Sequence, residues 1–200
     1  MNTPNPTDLA ATVRQAIEAS AEAKRQFADA AAHDIAEAVR TVTHCLSAGG
    51  KVLLCGNGGS AADAQHIAGE LVGRFKLERP GYHAVALTTD TSVLTAVAND
   101  YGFDQVFARQ VEGLGRQGDV LIGYSTSGNS ANVVKAIEKA KAIGMNTIGL
   151  TGKGGGAMAA LCDICIQATT TDTPIVQECH AAAGHILCAL VEKQLCLENQ

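Results

Sequence analysis

The sequence predicts an α/β fold, a three-layer α/β/α sandwich around a parallel five-stranded sheet, with an N-terminal helical extension. Five short apolar runs recur after Gly50, at 51–55, 83–87, 119–123, 146–150 and 163–167. Unbroken apolar runs of this length suit strands buried on both faces. Stretches of helical period, such as 60–73, 103–114 and 130–143, lie between them. Alternation of strand and helix requires parallel crossovers, which places helices on both faces of the sheet.

The elements follow in order. From Thr7 to about Ser47 the chain is alanine-rich, and Leu9, Val13, Ile17, Phe27, Ile35, Val39, Val42 and Leu46 recur largely at three- and four-residue steps. That pattern predicts one or two helices, stopped by Gly49-Gly50. Two roles remain open for the apolar stripe: a cap on the core, or a face that meets another subunit. Run 51–55 is the first strand, and Ser60 is the expected N-cap of the helix that follows. Strands at 83–87 and 119–123, the helix at 130–143 and the strand at 146–150 continue the pattern. Lys153-Gly154-Gly155-Gly156 then reads as a flexible surface connection, or less favourably as an anion loop. The strand at 163–167 precedes a closing helix at 175–197. Two hundred residues suit one domain on the rule of about 150 per domain. Residues 7–48 would be its helical segment and 50–200 its α/β core.

Composition narrows the functional classes. Hydrophobic residues at 46% against 18% charged exclude a disordered chain. A net charge of −5 gives no electrostatic reason to hold a nucleic-acid backbone. Aromatics at 4%, without tryptophan, deny the stacking platform of single-strand binders. Glycines and charges interrupt every apolar stretch before the roughly 20 residues of a membrane span, so no membrane association is expected. Met1 to Thr7 carry no basic segment leading into an apolar one, so a cytoplasmic protein is expected. The seven cysteines are odd in number and sit mostly in apolar stretches, where a reduced thiol packs as a small hydrophobe. Cys162-Asp163-Ile164-Cys165 has C-x-x-C spacing, but it lies in a strand-like segment and reads as packing.

In parallel sheets, ligands bind where loops leave the carboxyl ends of strands. Gly56-Asn57-Gly58-Gly59-Ser60 follows the first strand and opens a helix, whose amides can hold an anion. It is neither a dinucleotide fingerprint nor a Walker A loop. Ser125-Thr126-Ser127-Gly128-Asn129-Ser130 follows the third strand, and its four hydroxyls suit a phosphate monoester. His66 and Glu70 stand four apart on one helix and so share a face. A surface hydrogen-bonded pair is the plainer reading of that spacing, and two ligands to one divalent ion the sharper one. The last helix adds Gln177, Glu178, His180 and His185. Gln177 and His185 lie about 80° apart in azimuth but about 12 Å apart along the axis, while His180 and His185 diverge by about 140°. One of the two histidines is therefore structural or solvated, and spacing alone does not say which.

Together these segments resemble the sugar isomerase (SIS) domain superfamily, a flavodoxin-like fold, and within it the phosphoheptose isomerases. The likeness runs through Gly-Asn-Gly-Gly-Ser at 56–60, His66-x-x-x-Glu70-Leu-x-Gly-Arg74, Asn99-Asp100, Ser-Thr-Ser-Gly-Asn-Ser-Ala-Asn at 125–132, Leu-Thr-Gly-Lys at 150–153, and Gln177-Glu-x-His-x4-His185. It departs from the family at Pro174-Ile175-Val176, where an Asp-Arg-hydrophobic lead-in to the glutamine is usual. The resemblance implies an aldose–ketose isomerase that converts D-sedoheptulose 7-phosphate to D-glycero-D-manno-heptose 7-phosphate. By the same resemblance Ser60, Ser125, Thr126, Ser127 and Ser130 hold the phosphate. Asn57, Gly58, Gly59, Asn99 and Asp100 contact the sugar, Glu70 and Gln177 also reach the substrate, and Glu70 with His185 is the catalytic pair. His66, Glu70, Gln177 and His185 match the ligands of one Zn2+ per subunit, which leaves His180 as the non-ligand histidine. No organic cofactor is implied. The family is generally a homotetramer with active sites at subunit interfaces. The residues suit this chemistry: one base must serve both C1 and C2 of a cis-enediol, and a second group must polarise the carbonyl. The rival is a non-catalytic SIS adaptor resembling the replication-initiator-associating protein. Such relatives lack the His-x-x-x-Glu-Leu-x-Gly-Arg pattern and read Ser-Thr-Arg in the second loop, so Glu70 and Ser127 favour the enzyme.

Overall fold

The computed structural model describes residues 8–198. The expectation drawn from Met1 to Thr7 lies outside them. The elements run α1 (Leu9–Ser47), β1 (Val52–Cys55), α2 (Gly59–Val72), β2 (Ala84–Ala86), α3 (Thr91–Tyr101), α4 (Val106–Leu114), β3 (Val120–Ser125), α5 (Ala131–Ile143), β4 (Asn146–Thr151), α6 (Gly156–Leu161), β5 (Ile164–Gln167) and α7 (Thr173–Glu198). A 3₁₀ turn, Phe103–Gln105, precedes α4. The five strands form one parallel sheet in the order β2-β1-β3-β4-β5.

Alternate residues of each strand serve opposite layers. Val52, Leu54, Val120, Ile122, Tyr124, Ile148 and Leu150 face α1, α2 and α7. Leu53, Cys55 and Leu121 face the other way, toward α4, α5 and α6. At the amino ends of β1 and β3, buried Asp119 accepts from the Lys51 amide at 2.9 Å, the Lys51 ammonium at 2.5 Å and the Arg116 amide at 2.9 Å.

The helical extension is one helix of 39 residues, capped at its start by the Asp8 side chain. Its C-terminal part is docked, with Phe27, Ala31, Ile35, Ala38, Val39 and Val42 in the core. Its first turns overhang, leaving Leu9 75%, Val13 58% and Ile17 64% exposed.

Several sequence expectations need correction. Two helices, α3 and α6, were not foreseen, and the expected helix at 103–114 begins as a 3₁₀ turn. The glycines at 154–156 do not form a free surface connection, because Gly156 begins α6 and the Met158 amide donates to the Gly128 carbonyl at 3.1 Å. Contrary to the reading of the apolar stretches, α7 is long and apolar enough by composition to span a membrane. Its apolarity has another cause: Val176, Cys179, Ala183, Leu187, Cys188, Val191 and Leu195 pack into the core against α1 and α2.

Candidate active site

Strand order reverses between β1 and β3, and their carboxyl ends open the crevice where such sheets bind ligands. Asn57, after β1, and Asn132, in α5, exchange two amide hydrogen bonds of 2.9 and 2.8 Å across it. Gly58 then turns the chain with φ +56° and ψ −122°, a conformation open to glycine. That turn makes Gly58 the cap of α2. Ser60, expected there, instead lies inside the first turn, 4% exposed and making no capping bond. The amides of Ser60, Ala61 and Ala62 already donate to the Asn57 and Gly58 carbonyls.

The loop after β3 gathers hydroxyls. Ser125 Oγ lies 2.8 Å from Ser130 Oγ and 3.4 Å from Ser127 Oγ. Ser127 Oγ also accepts from the Asn129 amide at 3.1 Å. The loop is braced from beneath, where the Gly152 amide donates to the Thr126 carbonyl and the Ala157 amide to Asn129 Oδ1. The glycine-rich turn before α6 thus supports the hydroxyl loop.

The third part lies where α7 runs alongside α2. Gly184 permits the close approach, since a Cβ there would stand 2.6 Å from Ile67 Cδ1. One residue on, His185 Nε2 lies 2.8 Å from His66 Nε2, and His66 Nε2 lies 3.6 Å from Glu70 Oε1. The Phe75 ring flanks His185 at a centroid distance of 5.8 Å. Both imidazoles reach solvent, and Glu70 is half-buried. Further toward the start of α7, the Gln177 amide lies against Gly59, 2.3 Å from where a Cβ would be.

A chemical class follows from these parts: a hydroxyl loop suited to an anionic group, and a carboxylate with two imidazoles able to move protons. The SIS domain profile matches residues 16–152. A phosphoheptose isomerase of Rhodospirillum rubrum is 62% identical over 81% of this chain and 86% of its own length. One from Burkholderia pseudomallei is 54% identical over 88% and 91%. The chain belongs to the phosphoheptose isomerase family. Its fold agrees with the structure of a phosphoheptose isomerase from Neisseria gonorrhoeae at TM-score 0.88, 44% identity, and coverage of 92% of this chain and 99% of that one. The same enzyme from Francisella tularensis gives TM-score 0.89 at 40% identity, covering 92% and 98%.

Within this phosphoheptose isomerase chain, the expected site residues fall into four groups. His66, Glu70 and His185 come together, and Ser125, Ser127 and Ser130 form the hydroxyl cluster with Thr126 between them. Asn57, Gly58, Gly59, Ser60 and Gln177 form the first turn of α2 and its cover. Asn99 and Asp100 stand apart near the end of α3, exposed and bonded to each other at 2.8 Å. His180 is fully buried against Tyr124, at a centroid distance of 6.0 Å, and neither ring nitrogen has a hydrogen-bond partner. Burial pushes its pKa down to about 4, although the nearby Thr151 backbone favours the charged form.

Asp63 was missed in the sequence. It sits one turn before His66, its Oδ2 is buried and unpartnered, and burial raises its pKa against the pull of His66. The i, i+3 and i, i+7 relation to His66 and Glu70 was the available signal.

Two imidazoles and a carboxylate suit a borderline divalent ion. Their present spacing is that of a hydrogen-bonded pair: nitrogens about 2.0–2.1 Å from a tetrahedral zinc stand about 3.3 Å apart. Among the described residues no group of three or more His, Cys, Asp or Glu is set to hold an ion.

Proposed function

We propose that the chain isomerises D-sedoheptulose 7-phosphate to D-glycero-D-manno-heptose 7-phosphate, the first step toward nucleotide-activated heptose. The observation that carries this reading is the meeting of Glu70, His66 and His185 between α2 and α7, in a chain that also gathers hydroxyls in the loop after β3. The names and high identity of the relatives support the same substrate.

The phosphate is taken by the hydroxyls of Ser125, Thr126, Ser127 and Ser130. The sugar then extends past Asn57, Gly58, Gly59 and Ser60 toward α7, with Gln177 above. Glu70 removes a proton from C1; the electron pair forms the C1–C2 double bond, and the carbonyl oxygen at C2 gains a proton to give a cis-enediol. The O1 hydroxyl then loses its proton as the C1 carbonyl forms, and C2 takes the proton held by Glu70. His185 polarises the carbonyl oxygen and relays the oxygen-bound proton. Atoms and charge balance without a redox cofactor.

Zinc is part of the proposal: His66, Glu70 and His185 would hold it, and Gln177, about 12 Å along α7 from His185, would be a fourth donor only from a different subunit or after its turn of α7 unwinds. When bound it supplies a Lewis acid for the substrate oxygens. A homotetramer is proposed as well. Its support is the overhanging Leu9, Val13 and Ile17, and α3, which has no fully buried residue and ends beside Tyr101 and Phe103, 58% and 61% exposed. In such an assembly Asn99 and Asp100 serve a neighbouring subunit's sugar. The reading takes residues 1–200 as one SIS domain. It places the protein in the cytoplasm, where seven free cysteines suit a reducing compartment.

The test is Glu70→Gln, assayed with sedoheptulose 7-phosphate for aldose formation and for exchange of the C1 proton with solvent. Turnover is expected to vanish while the substrate still binds. Retention of more than about a tenth of wild-type kcat, a barrier change below about 1.4 kcal/mol, removes Glu70 as the base.

A further inference from the structure

The loop between α2 and β2 is held by a charge pair that the mechanism does not use. Arg79 and Glu192 meet at 3.0 Å, and their side chains are only 3% and 2% exposed. A pair withdrawn this far from water is costly unless its remaining donors and acceptors are satisfied. Both are. Glu192 accepts from the amides of Phe75, Lys76 and Leu77 at 2.9, 2.7 and 2.9 Å. Burial alone would raise its pKa; the three amides and the guanidinium outweigh that and hold it below the usual carboxylate range.

The partners of Arg79 give the pair its direction. Nη2 donates to the Glu70 carbonyl at 2.9 Å, and Nη1 to the carbonyls of Leu71, Gly73 and Pro80 at 2.9, 3.2 and 3.0 Å. The last carbonyls of a helix have no partner within it. Here one guanidinium takes up two of them, those of Glu70 and Leu71, beginning at the residue that carries the base. The Tyr82 ring closes over it at 3.9 Å. On the other arm, Glu192 fixes the amide of Phe75, whose ring flanks His185 at 5.8 Å and 32°. Glu192 also lies seven residues beyond His185 on α7, about two turns along nearly the same face. A single buried pair therefore reaches the backbone of one catalytic residue and, through Phe75, the ring of the other.

We infer that Arg79 and Glu192 are positioning residues, which set the separation of Glu70 and His185 by locking the end of α2 to α7. This rests on the reading that Glu70 and His185 move the protons. The hydroxyl loop lies on other elements, after β3, so loosening the lock should lower kcat and leave substrate affinity alone. Small misplacements of reacting groups are enough, since a displacement of about 1 Å can cost about a hundredfold in rate.

The test compares Arg79→Lys, Phe75→Leu, Phe75→Tyr and Glu70→Gln in the full-length protein, with steady-state kinetics on sedoheptulose 7-phosphate and thermal unfolding of each. Arg79→Lys keeps the charge but cannot span four carbonyls and a carboxylate; its kcat should fall at least about tenfold, with KM within about threefold of wild type. Phe75→Leu should lower kcat with KM unchanged, and Phe75→Tyr, which keeps the ring, should restore it. If Arg79→Lys does not fold, the Phe75 pair decides. Wild-type kcat in folded Arg79→Lys and Phe75→Leu, beside an inactive Glu70→Gln, overturns the positioning role alone. Parallel changes in kcat and KM overturn it too, since they signify general loosening. An active Glu70→Gln instead overturns the assignment of the base.

Discussion

Replacing His180 with leucine should change how stability depends on pH. The imidazole is fully buried beside Tyr124, both ring nitrogens lack partners, and its pKa stands at about 4 against an ordinary 6.5. The unfolded chain therefore binds a proton at a higher pH than the folded one. As pH falls below about 6.5 the unfolded state gains that proton first, and the loss of stability is complete near pH 4, where the folded imidazole also titrates. At about 1.4 kcal/mol per pH unit of separation, the loss is about 3 kcal/mol. Glu192 and the other carboxylates add their own acid dependence, but they are common to both proteins and cancel in the difference. Urea unfolding of wild type and His180→Leu, at one protein concentration and from pH 7.5 to 4, measures that difference. The starting stability of the leucine variant at pH 7.5 is set by how well it packs against Tyr124 and does not enter the comparison. From there its relative stability should rise by about 3 kcal/mol as pH falls, at equal m-values. Curves that stay parallel within about 0.5 kcal/mol would refute the claim that a neutral, buried imidazole is built into the fold.

Three further outcomes are expected. Gly59→Ala places a Cβ 2.3 Å from Gln177 Nε2, a flexible side-chain end, so it should displace Gln177 and lower activity while the melting temperature barely moves. Ser127→Arg should raise KM about tenfold by filling the hydroxyl loop, a loss of about 1.4 kcal/mol in binding; an unchanged KM would place the phosphate elsewhere, most simply at Lys153-Gly154-Gly155. Asp119→Ala orphans the amides of Lys51 and Arg116, and denaturant unfolding should show a loss of about 2–3 kcal/mol. Because Asp119 lies at the amino ends of the strands, kcat of the folded variant should match wild type.

The sheet was legible because each central strand is an apolar run buried on both sides, so the expected boundaries differ from the observed ones by only a residue or two. The two unforeseen helices fail the same logic. In α3, threonines and valines at 91, 93, 95 and 97 blur helical propensity, and no residue is fully buried to impose a period. In α6, six residues bury Met158 alone. Within the site, the His66–Glu70 spacing and the hydroxyl-rich loop could be read directly, because each is local. The choice between His180 and His185 could not be made from spacing, which gives their divergence but not which side faces the core. Arg79 and Glu192, 113 residues apart, look singly like surface charges, and only the packing of α7 on the loop after α2 brings them together.

His185 enters the site from α7, the last of the described elements, and it lies 119 residues beyond its partner His66. At about 5–20 residues per second of synthesis, about 6–24 s pass between the making of the two halves of the proposed catalytic cluster. Over the last 55 residues of that interval, from Ser130 to His185, the nascent protein owns its hydroxyl loop and its carboxylate but lacks the imidazole on α7. The apolar faces of α1 and α2 that α7 will cover are bare for the same period. Activity thus arrives together with the burial of that seam, and a chain released before α7 would be both inert and adhesive. Ribosome stalling just ahead of residue 173 should therefore produce a species that chaperones hold and that turns over no sugar.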